Sequence, residues 1–475
     1  MRRLIPIAGL VLAACGGDEG SRQAQNVGPA ERQIIGMADP YPADDTMRAR
    51  EDLLRSSMAA RREMAWGVVA KVLAPVKLAS KEIDLLEEGQ LDVEPSIPRF
   101  ETWYQKDELK RMFHHLYKAQ GVEARKAKAP LSDASLESVF EWNAHYLAEE
   151  GLPEDLYTGR LAKLKEEADL DGLTAGEAIS YSPALAMHFF QNYRSILDCV
   201  RPVSKDSSAT LLDLVKPSDP PISEESNFTL CYESEFPIDA AIAKSFWSNS
   251  IVDPALRTYD TSAAAMSAHL HEGDGGWGNG DGKATPGKDE IHSARLIDGT
   301  TLRLAGLHIV TKELRHWVWI TLWWSPEPDR DFGADRPEAI RALGGPWSHY
   351  KMSVVIDFEE RDPDPRGGAP IQAVSLGDAL AATHGGPNGP TWTSNAYLEE
   401  GPMNARSNCM GCHQHAGTPI DPLAILFDES KYPENGRALV RKNFPSDYMW
   451  VFDKKSRLAR IIQSDVDFQD ANDPE

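Results

Sequence analysis

The chain is short of cationic charge: 50 Lys and Arg stand against 73 Asp and Glu among 475 residues, a formal charge of −23 at pH 7. A polyanion binder neutralises phosphates with clustered Lys and Arg, so no nucleic acid partner is expected. A membrane-spanning run is also missing at the N-terminus. The apolar stretch Leu4 to Ala14 has eleven residues, too few to cross a hydrocarbon core of about 30 Å as a helix. With 41% hydrophobic and 26% charged residues, 35 Gly and 32 Pro, the composition excludes wholesale disorder, collagen and coiled coil. The length exceeds one ordinary core and predicts two or three domains.

The beginning of the chain reads as an address. Arg2 and Arg3 precede the apolar run, and Cys15 follows small residues, the layout of a secretory signal. Leu12-Ala13-Ala14-Cys15 resembles the bacterial lipobox, which implies a lipid-modified Cys15 as the first residue of a mature lipoprotein. With Gly16 rather than Asp in second place, the resemblance implies an outer-membrane anchor facing the periplasm or the cell surface. The alternative is ordinary cleavage nearby, with Cys15 left as a thiol.

Cysteine is scarce, with five residues, Cys15, Cys199, Cys231, Cys409 and Cys412. In an oxidising compartment an odd count leaves a thiol to explain. Lipid on Cys15 and a shared chemistry for Cys409 and Cys412 leave Cys199 and Cys231 as a disulfide pair, closing a loop of about thirty residues that contributes roughly 3 kcal/mol. Two separate buried thiols are the alternative.

The expected fold class is α+β multidomain: an N-terminal helical region, a central mostly antiparallel β domain and a further C-terminal segment. Residues 1–15 form the signal, 16–45 a flexible tether, 46–200 the helical domain, 201–230 a linker, 231–390 the β-rich domain and 391–475 the C-terminal segment. Leu109, Met112, Phe113 and Leu116 make a helical stripe, and Leu136, Val139, Phe140 and Leu147 repeat it. Ser182-Pro183 starts a helix with Leu185, His188, Phe189, Asn192, Ile196 and Cys199 on one side, His188 being an interior histidine. Tyr350 to Phe358 alternates as a strand with one buried face. Trp317 to Trp324 is apolar at nearly every position, as in a strand buried on both sides. Thr301 to Val310 is a third strand, with Leu302, Leu304, Gly306, His308 and Val310 on its inner face. His271 to Asp289 is expected to be a mobile loop without the ligand spacing of a calcium site.

The chemistry lies at Cys409-Met410-Gly411-Cys412-His413. A CxxCH pentad reads as a c-type haem attachment site. Two thiols three residues apart on one helical turn can add to the two vinyl groups, and His413 then falls under the iron. Zinc would want a second CxxC, which Cys199 and Cys231 do not supply, and a thioredoxin-like dithiol would want a βαβ surround. These residues resemble c-type cytochromes, which implies that the C-terminal segment, 391–475, is a cytochrome c-like, haem-binding segment. The segments Asn404 to Gly417, Leu304 to Val310 and Ser182 to Tyr193 resemble parts of large exported single-haem proteins of Gram-negative bacteria. That resemblance implies one covalent haem c, attached through Cys409 and Cys412, with His413 as proximal ligand.

The sixth ligand separates the functions. Met449, before a final helix expected around Lys454 to Ile462, and His308 are the distal candidates, with His188 and Met403 behind them. His415 is too near His413 to bind the opposite side of the iron. Trp317, Trp319, Trp323, Trp324 and Trp347 could wall a haem pocket, although their spacing is that of sheet core. The leading expectation is an exported, membrane-anchored monohaem cytochrome that transfers electrons to or from a partner with a basic surface, a carrier rather than an enzyme. A haem-dependent, peroxidase-like enzyme and a haem-based sensor are the alternatives. No Ser-His-Asp or similar catalytic set can be read from the spacing.

Overall fold

The computed structural model describes residues 38–78, 91–92, 95–140, 177–198, 235–251, 253–262, 265, 277, 280–296, 301–356, 393–399, 409–413, 416, 446–450 and 457–472. Cys15, Cys199, Cys231, Leu147, Met403, His415 and the 201–230 linker lie outside them.

Helices α1 (Glu51–Ser56) and α2 (Met58–Leu73) open the described chain. Ser57 caps α2 by accepting the Ala60 N–H. The short strands β1 (Pro75–Lys77), β2 (Leu91–Asp92), β3 (Ser96–Pro98) and β4 (Tyr104–Gln105) follow, then helices α3 (Lys106–Ala119), α4 (Val122–Lys126) and α5 (Asp133–Phe140). Leu109, Met112, Phe113 and Leu116 are all buried on α3, and Leu136 and Val139 on α5, as their spacing predicts. Full burial of such a side chain stabilises by about 1.5–3 kcal/mol.

After strand β5 (Glu177–Tyr181), Ser182 caps helix α6 (Pro183–Gln191) by accepting the Leu185 N–H at 3.4 Å, with proline at the first turn as expected. The single helix expected to reach Cys199 instead breaks at Asn192. The Asn192 side chain donates to the His188 carbonyl at 2.8 Å, and a second helix α7 (Tyr193–Asp198) restarts beyond it. His188 is buried, its ring 4.3 Å from that of Phe236.

The sheet strands then come in order: β6 (Ala241–Asn249), β7 (Leu256–Thr258), β8 (Gly282–Ala284), β9 (Ser293–Leu296), β10 (Thr301–Thr311), β11 (Val318–Trp324) and, after helix α8 (Glu338–Arg341), β12 (Tyr350–Val355). One eight-stranded sheet runs β12-β11-β10-β6-β5-β4, with β9 pairing β10 and β2, and every pairing is antiparallel. Helix α9 (Cys409–His413) and helix α10 (Arg457–Asn472) complete the described elements.

A helical N-terminal region and a large antiparallel sheet are therefore present, but the sheet crosses the division drawn at 200–231. Strands β4 and β5, from the helical region, pair with each other and onto β6. The expected tether also ends early: Ala38 and Tyr41 are buried against the body. The 271–289 segment is not a loop throughout, since β8 pairs with β7 and the buried Trp277 donates to Ser394 Oγ at 2.9 Å. The final helix begins at Arg457 and runs to Asn472. It packs on α3, where Asp465 meets His114 at 2.7 Å and Asp470 accepts from Tyr117 at 2.9 Å.

Two strand expectations need correction. β11 is buried at every position, as predicted. On β10, Leu304 pairs with Trp247 and Gly306 with Phe246, so Ala305 is the extra residue of a β-bulge. Leu302 and Leu304 consequently face the opposite side of the sheet from Gly306, His308 and Val310. β12 is likewise buried on both faces, because Lys351, which alternation assigns to solvent, reaches Thr261 at 3.1 Å and Asp331 at 3.2 Å.

Helix α2 covers the Met352 side of the sheet. Arg62 fixes it there by donating to the Met352 and Phe332 carbonyls, both at 2.7 Å, and pairing with Asp335 at 2.5 Å. Residues in register share a face, so His308, Thr321 and Lys244 lie together on the other side, where the 393–399 and 409–413 segments sit. Among the described residues no helix is long and apolar enough to cross a membrane.

Candidate functional site

The CMGCH pentad forms one helical turn, Cys409–His413. Met410 anchors it by complete burial and Cys409 is half-buried, while the Cys412 side chain lies outside the described residues. The turn rests on the sheet through Trp319, whose ring centroid is 4.5 Å from that of His413. Trp450 flanks the same imidazole at 6.4 Å.

His413 Nδ1 is 2.8 Å from the main-chain oxygen of Tyr448. A carbonyl can only accept, so Nδ1 carries the proton and donates, and the lone pair of the neutral ring lies on Nε2. Burial pushes the His413 pKa down to about 4. The Tyr448 bond opposes that shift, and the nearby charges of His308 and Lys244 add to it. At neutral pH the residue is thus an uncharged imidazole with one oriented donor and one coordinating nitrogen, the arrangement a metal-ligating histidine uses.

The acceptor sits in a turn with an uncommon backbone. Asp447 and Tyr448 both have positive φ, 47° and 68°, and Met449 N–H closes the turn onto the Ser446 carbonyl at 2.8 Å. Asp447 is fully buried and accepts from Lys312 Nζ at 2.9 Å, also fully buried. Lys312 donates further to the Arg315 carbonyl, meets Glu235 at 3.1 Å and lies over the Trp317 ring at 5.2 Å. Burial raises the Asp447 carboxyl to about pH 7 against the pull of Lys312. Glu235 is also desolvated, but Lys312 and Arg48 outweigh that and hold it low.

Of the sequence candidates, the fold brings His413, His308 and Met449 into one neighbourhood. His308 shares the sheet face on which α9 lies, with its Nε2 3.1 Å from Glu399. Met449 is buried next to the residue that holds His413. His188 packs instead with Phe236, which in turn meets Trp317 at 5.2 Å, and its burial lowers its pKa to about 4. All five singled-out tryptophans are buried, and Trp319 is the one that reaches the pentad.

Sequence reasoning missed Tyr448, Asp447 and Lys312. The available signal was the Lys312-Glu313 pair between two strands apolar at almost every position, since charge in such a place needs partners. Among the described residues, no group of three or more His, Cys, Asp or Glu side chains is arranged to hold a metal ion. No family model, curated protein or solved structure matches the chain.

Proposed function

We propose that the protein is an exported, membrane-anchored monohaem c-type cytochrome that relays single electrons. The observation that carries this is the bond from His413 Nδ1 to the Tyr448 carbonyl at 2.8 Å, which orients Nε2 for iron beside a pentad suited to covalent haem. The residues fit such a group: a neutral imidazole of fixed tautomer, Cys409 on the same helical turn and an aromatic wall of Trp319 and Trp450. Cys409 and Cys412 would hold haem c covalently and His413 would supply its proximal nitrogen. The bound group supplies one-electron redox chemistry, and ligation, burial and hydrogen bonding by the protein set its potential. The charge of −23 favours a basic partner and makes that encounter salt-sensitive.

One observation favours a second reading, a haem-dependent oxidative enzyme or sensor: His308, one of the two distal candidates, is engaged by Glu399 at 3.1 Å. Tyr448 meets Nδ1 of the ring, so Nε2 is the nitrogen that would hold iron. Met449 and His308 remain the residues that would supply a distal ligand, His308 only by turning from Glu399.

The test is maturation in a periplasm with haem-ligation machinery followed by acid-acetone extraction. Pigment retained by the polypeptide, and lost when Cys409 and Cys412 are replaced by Ala, supports the cytochrome reading. Complete extraction of pigment from the unaltered chain overturns it. A low-spin spectrum insensitive to carbon monoxide and unchanged by Met449→Leu fits a relay with another distal ligand, whereas ready binding of carbon monoxide moves the assignment to the enzyme or sensor.

A further inference from the structure

We infer that Lys312 and Asp447 are positioning residues for His413: their buried ion pair holds the 446–448 turn in the conformation that presents the Tyr448 carbonyl to Nδ1. This rests on the cytochrome reading and adds what sets the basicity of the proximal ligand.

Two consecutive non-glycine residues in the left-handed region each cost roughly 1–2 kcal/mol. A bulky residue such as Tyr448, at φ 68°, is a clear outlier there. Such a backbone persists where its surroundings over-determine it. Here the constraint is visible. Asp447 Oδ2 is bound by Lys312 Nζ at 2.9 Å. Lys312 itself is fixed at the tip of the β10–β11 hairpin, its N–H on the Ala240 carbonyl at 3.0 Å and its ammonium on the Arg315 carbonyl and Glu235. A buried ion pair adds little net stability over an apolar pair of similar volume, so its value in this place is geometric. With the pair intact the turn cannot swing and the carbonyl stays on the imidazole. Without it, Asp447 and Tyr448 relax toward ordinary backbone and Nδ1 loses its acceptor. A proximal imidazole deprived of that acceptor is a weaker donor, which favours reduced iron.

The experiment uses the full haem-loaded chain with Lys312→Met and Asp447→Asn. Asn tolerates positive φ well, so the second variant removes the charge while sparing the backbone preference and the fold. The expected result is that both variants raise the midpoint potential by at least 59 mV, a tenfold change in the one-electron equilibrium, and that Lys312→Arg returns it to near the unaltered value. A pair acting only through its charges would instead move the two variants in opposite directions, because losing the anion raises the potential and losing the cation lowers it. That outcome, or no shift in either, overturns the inference. Should no variant or parent retain haem, the cytochrome reading fails on its own, and the inference is then read from nitrogen NMR of His413 in the haem-free protein. The Nδ1-protonated tautomer should dominate in the parent and give way to a mixture in both variants; an unchanged tautomer overturns it.

Discussion

Tyr41 donates a 2.6 Å hydrogen bond to the fully buried carboxylate of Glu313, 272 residues further along the chain. The same carboxylate accepts from Lys71 Nζ at 2.9 Å, the Asp44 N–H at 2.7 Å and Thr311 Oγ1 at 3.0 Å. A buried anion is tolerable when its lone pairs are filled in this way. Glu313 adjoins Lys312, so the two charged residues at the end of β10 bind opposite ends of the sequence, one the N-terminal segment and the other the turn behind His413.

Tyr41→Phe should therefore cost about 1.5–3 kcal/mol, the worth of a hydrogen bond to a charged group. Glu313→Ala, which strands Lys71 as well, should cost about 3–5 kcal/mol. Urea unfolding at neutral pH measures both. Burial, reinforced by Glu313, holds the Tyr41 pKa well above its usual 10. The unfolded chain thus ionises first, and stability should fall as pH rises above about 10. Tyr41→Phe should flatten that fall, and an equal slope in parent and variant would count against the contact.

His188 gives a pH dependence of the opposite sense. Burial, with Lys312 adding to it, depresses its pKa from 6.5 to about 4. Between those values the unfolded state binds more protons than the native state, so this contribution is present above pH 6.5 and lost as pH falls toward 4, roughly 3 kcal/mol in all. The urea midpoint of His188→Gln should vary less across that interval than that of the parent.

Gly306 leaves no space for a side chain. A Cβ there would stand 2.9 Å from Asn395 Oδ1 and 3.2 Å from Leu398 Cδ1. Asn395 cannot easily retreat, because it donates to Thr321 Oγ1 at 2.8 Å and the Leu322 carbonyl at 2.7 Å. Gly306→Ala should lower stability by about 1–3 kcal/mol, the usual cost of overpacking, with Gly306→Val worse. Urea midpoints at unchanged m-value would register it.

For the anchor and the cross-link, the expected outcome is chemical. Intact mass of membrane-derived protein should begin at a lipid-modified Cys15, and non-reduced peptide mapping should join Cys199 to Cys231. Cys15→Ser should release the body to the soluble fraction, since acyl chains make the anchoring stable. An unmodified Cys15 or free thiols at the other two positions would remove the corresponding assignment.

The elements that could be read from sequence are those whose signal is local. The α3 stripe, the Ser182-Pro183 start and the uninterrupted apolar run of β11 each declare themselves within about ten residues, and the helical turn at Cys409–His413 was legible from its spacing. The bulge at Ala305 was not, because one extra residue shifts the alternation of β10 without altering its composition. Strands β4 and β5 have two and five residues, too few to show a period inside a helical region. Lys312, Glu313 and Lys351 defeat pattern reading for another reason. Each looks like a solvent-facing charge until partners arrive from distant segments, as Asp447 does for Lys312 across 135 residues.

The Tyr41 to Glu313 bond also imposes an order of events on the newborn chain. Tyr41 leaves the ribosome early, yet the residue that captures it lies 272 positions later, tens of seconds away at about 5–20 residues/s. Throughout that interval the leading segment can dock only on early-made residues, with the Asp39 N–H on Thr102 Oγ1 and Trp103 Nε1 on the Asp39 carbonyl, both at 2.9 Å, and the central strand that ends at Thr311 has yet to be made. A polypeptide built this way seals its leading segment against the central sheet only once most of its length exists.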